Sequence, residues 1–307
     1  SQLSELPSYL KVNDMKLFDD YLYFCGQYNN QEGFIGRLKV NILGSSTLDT
    51  IQWSKVYRST NLNKLELYKD TSNTYTHIVA IGNYENGDIF LHSYEGNNWD
   101  YEIDTINNTI NNGIREYLKD LAVNKNYVVV GSFYNTYNIT TFNTLINSLS
   151  FRSYDKYNIP TIAPIIYGLN YTSYSLTPLF DKILLRTIDD NNIAIATTIK
   201  LNQLTYGVVA KYNTLSFNTL NNIQLNGYID TTKTEIKDIS YNAIDDKLSL
   251  LELTRISNIP TMYNDYVFEL KFNQNSYTAN VFYQQNNCLF NSIVEYKSNY
   301  YATVGVD

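Results

Sequence analysis

Histidine is nearly absent from this sequence, with only His77 and His92 present. So few make a Ser-His-Asp or Cys-His nucleophilic site hard to assemble, and no G-x-S-x-G elbow occurs either. The two cysteines, Cys25 and Cys288, are too few for a disulfide framework and lack metal-site spacing. Either they stay free, with a buried thiol the simpler reading, or they form one long-range bridge. Basic residues are in the minority, 23 Lys and Arg against 30 Asp and Glu, for a net charge of −7. That balance argues against a general nucleic-acid binder and against docking on an anionic membrane. No apolar run approaches the 18 residues of a membrane-spanning helix, so membrane insertion is not expected. No signal peptide is visible, although a mature chain from which one had been removed would look the same.

What the chain does have is 30 Tyr and 41 Asn, with only 5 Pro. Tyr, Ile, Val, Thr and Phe favour a pleated, half-buried surface, and Asn favours tight bends. The mixture predicts many short strands joined by Asn-rich turns. No stretch of helical period competes with it.

Internal repetition is the strongest signal. "YLYFCG" (21–26), "HIVAIGN" (77–83), "YVVVGS" (127–132) and "YYATVG" (300–305) are apolar, β-rich runs that reach a glycine, and "NIAIATT" and "KLSLLEL" fill the same slot. Equating positions 26, 82, 131, 197, 252 and 305 gives steps of 56, 49, 66, 55 and 53. Upstream of each lies an apolar-x-x-apolar start: "VNDM", "LNKL", "LKDL", "IKDI" and "FNSI", with "LTPL" (176–179) a poorer match. A further strand follows each run, such as "GFIGRLKV" (33–40), "GDIFLHSY" (87–94) or "YNITTFNT" (137–144). A fourth comes after it, with Trp53 and Trp99 in similar places.

Four strands per unit of roughly fifty residues, about six times over, predict an all-β chain built as a β-propeller. A small twisted sheet cannot bury both faces alone, whereas blades around an axis bury them against one another. The expected units are approximately 12–60, 61–112, 113–175, 176–230, 231–287 and a last one of 288–307 plus 1–11. That last blade is either incomplete or closed by the N-terminal segment.

The glycines of residues 21–40 are not a phosphate loop, which would need a helix to follow. The pairs Asp19–Asp20, Asp189–Asp190 and Asp245–Asp246 could serve glycoside hydrolysis, but all fall where a hairpin turn needs Asp or Asn. His77 and His92 read as ordinary, potentially cross-strand, residues. Asp14, Asp120 and Asp238 share one position at the entry to the innermost strand. They could ring a channel mouth and hold calcium, or each could cap its own turn. The longest repeat step contains "SYDKYNIPTIAPIIYGLNYTSYSLTP" (153–178), read as a loop between units three and four. Tyr154, Tyr157, Tyr167, Tyr171 and Tyr174 lie in it, and tyrosine gives rigid contact area suited to proteins and sugars.

Over residues 12–40, "VNDM", "YLYFCG" and "GFIGRL" resemble the repeat of secreted or surface β-propeller proteins of Bacteroidetes-type bacteria. The resemblance implies an extracellular bacterial setting and transfers no catalytic residue. The function expected is a non-enzymatic binding or scaffolding module that contacts protein or glycan through a loop-bearing face. The alternatives are a glycan-active enzyme and a structural subunit that assembles with others in a phage or surface structure.

Overall fold

The computed structural model describes residues 10–28, 32–40, 53–58, 60–84, 87–94, 101–106, 114–138, 143–159, 165–169, 179–201, 204–225, 233–242, 247–255, 263–273, 276–286, 289–297 and 300–306. Among them are twenty-two β-strands and no helix. The first sheet is β1 (Leu10–Phe18), β2 (Tyr21–Tyr28), β3 (Glu32–Lys39) and β4 (Trp53–Arg58). The second is β5 (Thr60–Lys69), β6 (Thr76–Tyr84), β7 (Gly87–Tyr94) and β8 (Tyr101–Ile106). The third is β9 (Ile114–Val123), β10 (Tyr127–Asn138), β11 (Asn143–Asp155) and β12 (Ile165–Leu169). A fourth group follows, β13 (Leu179–Thr187), β14 (Asn192–Leu201), β15 (Leu204–Asn213) and β16 (Asn218–Leu225). The fifth is β17 (Lys233–Asn242), β18 (Lys247–Arg255), β19 (Tyr263–Asn273) and β20 (Ser276–Asn286), and the last pair is β21 (Leu289–Lys297) and β22 (Tyr300–Val306). Neighbours within each group are antiparallel and in chain order. A single parallel pairing, Thr205 with Lys233, joins the fourth and fifth groups into one eight-stranded sheet.

The apolar runs lie in the second strand of each group because both of its faces are covered. In β6, Ile78 and Ala80 pack toward Tyr23, Cys25 and Ile35 of the first sheet. Val79 and Ile81 point the other way, onto Leu121, Val128 and Val130 of the third. In β10, Val129 continues to Ile183, Ile193 and Ile195 of the fourth, whose Ala194 and Ala196 meet Ile236 and Ile239 of the fifth. Side chains alternate across a strand, so a run of four apolar residues feeds two separate cores. Each large aliphatic side chain so buried stabilises the stack by about 1.5–3 kcal/mol.

The glycine of the repeat has a steric cause. The first strand of each group carries a bulge, at Asn13 in β1 and Asn63 in β5. A Cβ on Gly26 would lie 1.9 Å from the Lys11 carbonyl oxygen, and one on Gly82 would lie 2.1 Å from that of Asn61. In the third sheet the match is displaced by one: Ser132 faces Leu118 as Gly26 faces Val12, and Gly131 faces Asp120 as Cys25 faces Asp14.

Two strand assignments differ from the sequence reading. Residues 153–178 are not a single inter-sheet loop, because β11 runs to Asp155 and β12 occupies Ile165–Leu169. The long repeat step arises from the 12- and 13-residue strands β10 and β11, and the strand expected at 137–144 instead spans the end of β10 at Asn138 and the start of β11 at Asn143. The first strand of the fourth group is not "LTPL": β13 begins at Leu179, and its Leu185 amide is held by Asp120 as that of Leu65 is held by Asp14. There the segment 182–185 reads "KILL", and Lys182 in the first apolar place removed the cue.

The first sheet leaves the outer face of its leading strand open. Val12, Met15 and Leu17 are 42%, 57% and 61% exposed, whereas their register equivalents Leu62, Leu65 and Leu67 are at most 7% exposed.

Candidate functional site

The leading strands β1, β5, β9, β13, β17 and β21 are linked by carboxylates. Asp14 Oδ2 accepts the Leu65 amide at 3.1 Å, Asp120 Oδ2 the Leu185 amide at 2.9 Å, and Asp238 Oδ2 the Ile293 amide at 3.1 Å. Each bond runs from one sheet to the next. The residues just before those donating amides are Lys64, Leu184 and Ser292. Lys64 and Leu184 carry no carboxylate to pass forward. The amides of Leu121 and Ile239 are instead satisfied at 3.0 and 2.9 Å by Oδ1 of their own neighbours, Asp120 and Asp238.

Arg186, on β13, completes this network. Its Nη2 donates to Asp238 Oδ1 at 2.9 Å, Nη1 lies 3.3 Å from Asp120 Oδ2, and Nε donates to the Ile239 carbonyl at 3.0 Å. Burial opposes the Arg186 charge, but Asp120 and Asp238 outweigh it and raise the pKa. Both oxygens of Asp120 and Asp238 are thus engaged within the protein, where they join neighbouring sheets. No cluster of three or more His, Cys, Asp or Glu suited to a metal ion occurs among the described residues.

These strands border a cavity of about 660 Å³. Its cationic lining is Lys16, Lys64, Lys119, Lys182, Arg186 and Lys237, against two lining carboxylates, Asp14 and Asp238. Lys16 is paired with Glu66 at 2.5 Å; burial opposes its charge, and Glu66 more than restores it. Lys182 donates to the Lys237 carbonyl. Lys119 is exposed, its amine above the rings of Tyr117 and Phe133 at 5.6 and 5.4 Å. Sequence reading missed the lysines by attending only to the aspartates, yet "LKDL" and "IKDI" carry Lys119 and Lys237 at one shared position, the bulge.

The two histidines do meet, diagonally across β6 and β7. His77 Nδ1 lies 2.9 Å from His92 Nε2, which lies 3.2 Å from the Tyr68 hydroxyl. Tyr68 in turn donates to the Lys156 carbonyl at 2.7 Å. The rings of Tyr68, His77 and His92 are nearly parallel, with interplanar angles of 7 to 11°. Burial, and secondarily His77, pushes the His92 pKa down to about 4. Burial also lowers that of His77, helped by Lys156 and opposed by Asp70. The pair is therefore neutral near pH 7.

The tyrosine set does not form one surface. Tyr154 is buried, stacked on Phe90 at 4.4 Å between the second and third sheets. Its place at the end of β11 turns it inward, so it is a packing residue rather than a surface anchor. Tyr157 is exposed in the turn after β11, with Lys156 Nζ 5.0 Å from its ring. Tyr167 lies on β12, paired in register with Phe151. Tyr171 and Tyr174 lie outside the described residues. Asp19–Asp20 and Asp189–Asp190 occupy the β1–β2 and β13–β14 turns: Asp19 has φ 52°, and Asp189 Oδ1 accepts the Asn191 amide at 2.8 Å. Asp245–Asp246 lie outside the described residues, as do Trp99 and Cys288. Cys25 is a buried free thiol, 3.9 Å from the Leu62 carbonyl.

Fold and site together define an all-β chain of successive small antiparallel sheets whose leading strands surround a cationic cavity. No protein-family model matches the chain, and no curated protein matches it. Among matching solved structures is Drosophila Plexin A in complex with Semaphorin 1b, 8% identical over 96% of this chain and 85% of that one, at a TM-score of 0.43. Likeness at that level decides neither the fold nor the activity.

Proposed function

We propose that the chain is a β-propeller serving as a non-enzymatic binding or scaffolding module at a bacterial cell surface. It contacts protein or glycan through the face on which the central cavity opens. The observation that carries this reading is that all six leading strands, from β1 to β21, border one cavity. A linear stack of sheets would hold the first and sixth of these strands far apart; a ring brings them together. The exposed face of β1, with Val12, Met15 and Leu17, corresponds to the face by which β5 packs against the first sheet and is the surface that a sixth group closing the ring would cover. The surface setting rests on the resemblance of residues 12–40.

Small-angle scattering tests the ring: a squat disc is expected, and an elongated body would sink it. Binding on a glycan or protein array without release of product supports a module over an enzyme, whereas product accumulation would overturn the non-enzymatic reading. The exposed β1 face favours one second reading, assembly with further subunits. A sedimentation coefficient that rises with protein concentration would support it.

A further inference from the structure

We propose that the cavity binds a sugar carrying two or more sulfate or phosphate groups. The proposal deepens the binding-module reading and rests on it for the convergence of the six strands. The chain as a whole carries −7, yet here six cationic side chains gather around two lining carboxylates. Counting Glu66 and Asp120 behind the wall, which hold Lys16 and Arg186, cations still exceed carboxylates by six to four. Asp14 and Asp238 each give Oδ2 to a backbone amide of the next sheet, and Asp238 gives Oδ1 to Arg186 and the Ile239 amide. A local excess of positive charge in a recess focuses the field on an incoming anion.

The kind of cation narrows the ligand. Five of the six are lysines, compact charges on flexible stems, which meet separated oxyanions better than they grip one planar carboxylate. They come from β1, β5, β9, β13 and β17, so the charges surround the ligand rather than line one side of it. A volume of about 660 Å³ suits a ligand of sugar or disaccharide size and far exceeds a lone oxyanion. Thr187, Ser240 and Tyr241 add hydroxyls to the wall, and Met15 and Ile239 add apolar surface for a ring face.

The test uses isothermal titration of the full chain with a trisulfated disaccharide, its unsulfated counterpart, fructose 1,6-bisphosphate and inorganic sulfate. Saturable binding of one or both charged sugars is expected, weakening as salt rises; which of the two binds tells sulfate from phosphate as the source. Lys64→Gln, Lys119→Gln and Lys237→Gln combined should weaken binding by about tenfold or more. Lys39→Gln, an exposed lysine outside the cavity, should leave it unchanged. Equal affinity for inorganic sulfate, equal affinity for the unsulfated sugar, or full binding by the triple variant would each overturn the proposal. A disc-shaped protein that binds none of the four overturns the ligand and leaves the propeller. An elongated protein removes the propeller, whatever it binds.

Discussion

Replacing Asp120 by alanine removes the carboxylate that ties the third sheet to the fourth. Asp120 is 2% exposed and Leu121 and Leu185 are each 1% exposed, so water cannot take over the lost acceptors. Oδ1 holds the Leu121 amide at 3.0 Å, and Oδ2 holds the Leu185 amide at 2.9 Å and faces Arg186 at 3.3 Å. Each orphaned buried N–H costs about 1–3 kcal/mol. Arg186 keeps Asp238 at 2.9 Å but loses the largest of the carboxylate charges that offset its burial. A total loss of about 3–6 kcal/mol follows, a large share of the roughly 5–15 kcal/mol that holds a domain folded. At about 2–4 °C per kcal/mol for a chain somewhat smaller than this one, the melting temperature should fall by about 6–24 °C. Calorimetry and guanidinium unfolding check it. Asp120→Asn keeps one carbonyl acceptor and should lie between Asp120→Ala and the parent. A parent-like melting temperature, within about 2 °C for Asp120→Ala, would refute the idea that these carboxylates join the sheets.

Stability should fall as pH drops from 7 toward 4. The folded His92 pKa of about 4 lies below the ordinary 6.5, so over that window the unfolded chain binds the extra proton. The loss is about 3 kcal/mol at most, and His92→Gln should flatten the melting-temperature profile there; an unchanged slope would count against the neutral pair. Gly82→Ala places a Cβ 2.1 Å from a backbone oxygen and should destabilise by about 1–3 kcal/mol, as overpacking does, measured by denaturant unfolding. Burial pushes the Cys25 thiol well up, so a thiol reagent should label it only on unfolding; rapid labelling of Cys25, located by mass spectrometry of the native protein, would contradict the packing of the first two sheets.

The strands were legible because their pattern is local. "HIVAIG" can be buried on both faces only between two neighbours, and its closing Gly82 answers the bulge at Asn63 on the adjoining strand. Unit three misled because "YNITTFNT" reads as one strand although it spans the end of β10 and the start of β11; Asn and Thr suit turn and ladder alike, so no local cue marks where one strand gives way to the next. Tyr154 misled for a related reason: an aromatic near a turn faces in or out according to the neighbouring sheet, here Phe90.

By itself the sequence determined an all-β chain of repeated four-stranded units, since alternation, β-branching and Asn turns act between residues a few positions apart. Which charges meet was decided only by tertiary structure. Asp120 finds Leu185 and Arg186 across more than sixty residues, and five lysines from five strands come to line one cavity. Hydrogen bonds and Coulomb forces depend on distance in space, and one-dimensional spacing carries that information only after the sheets have packed.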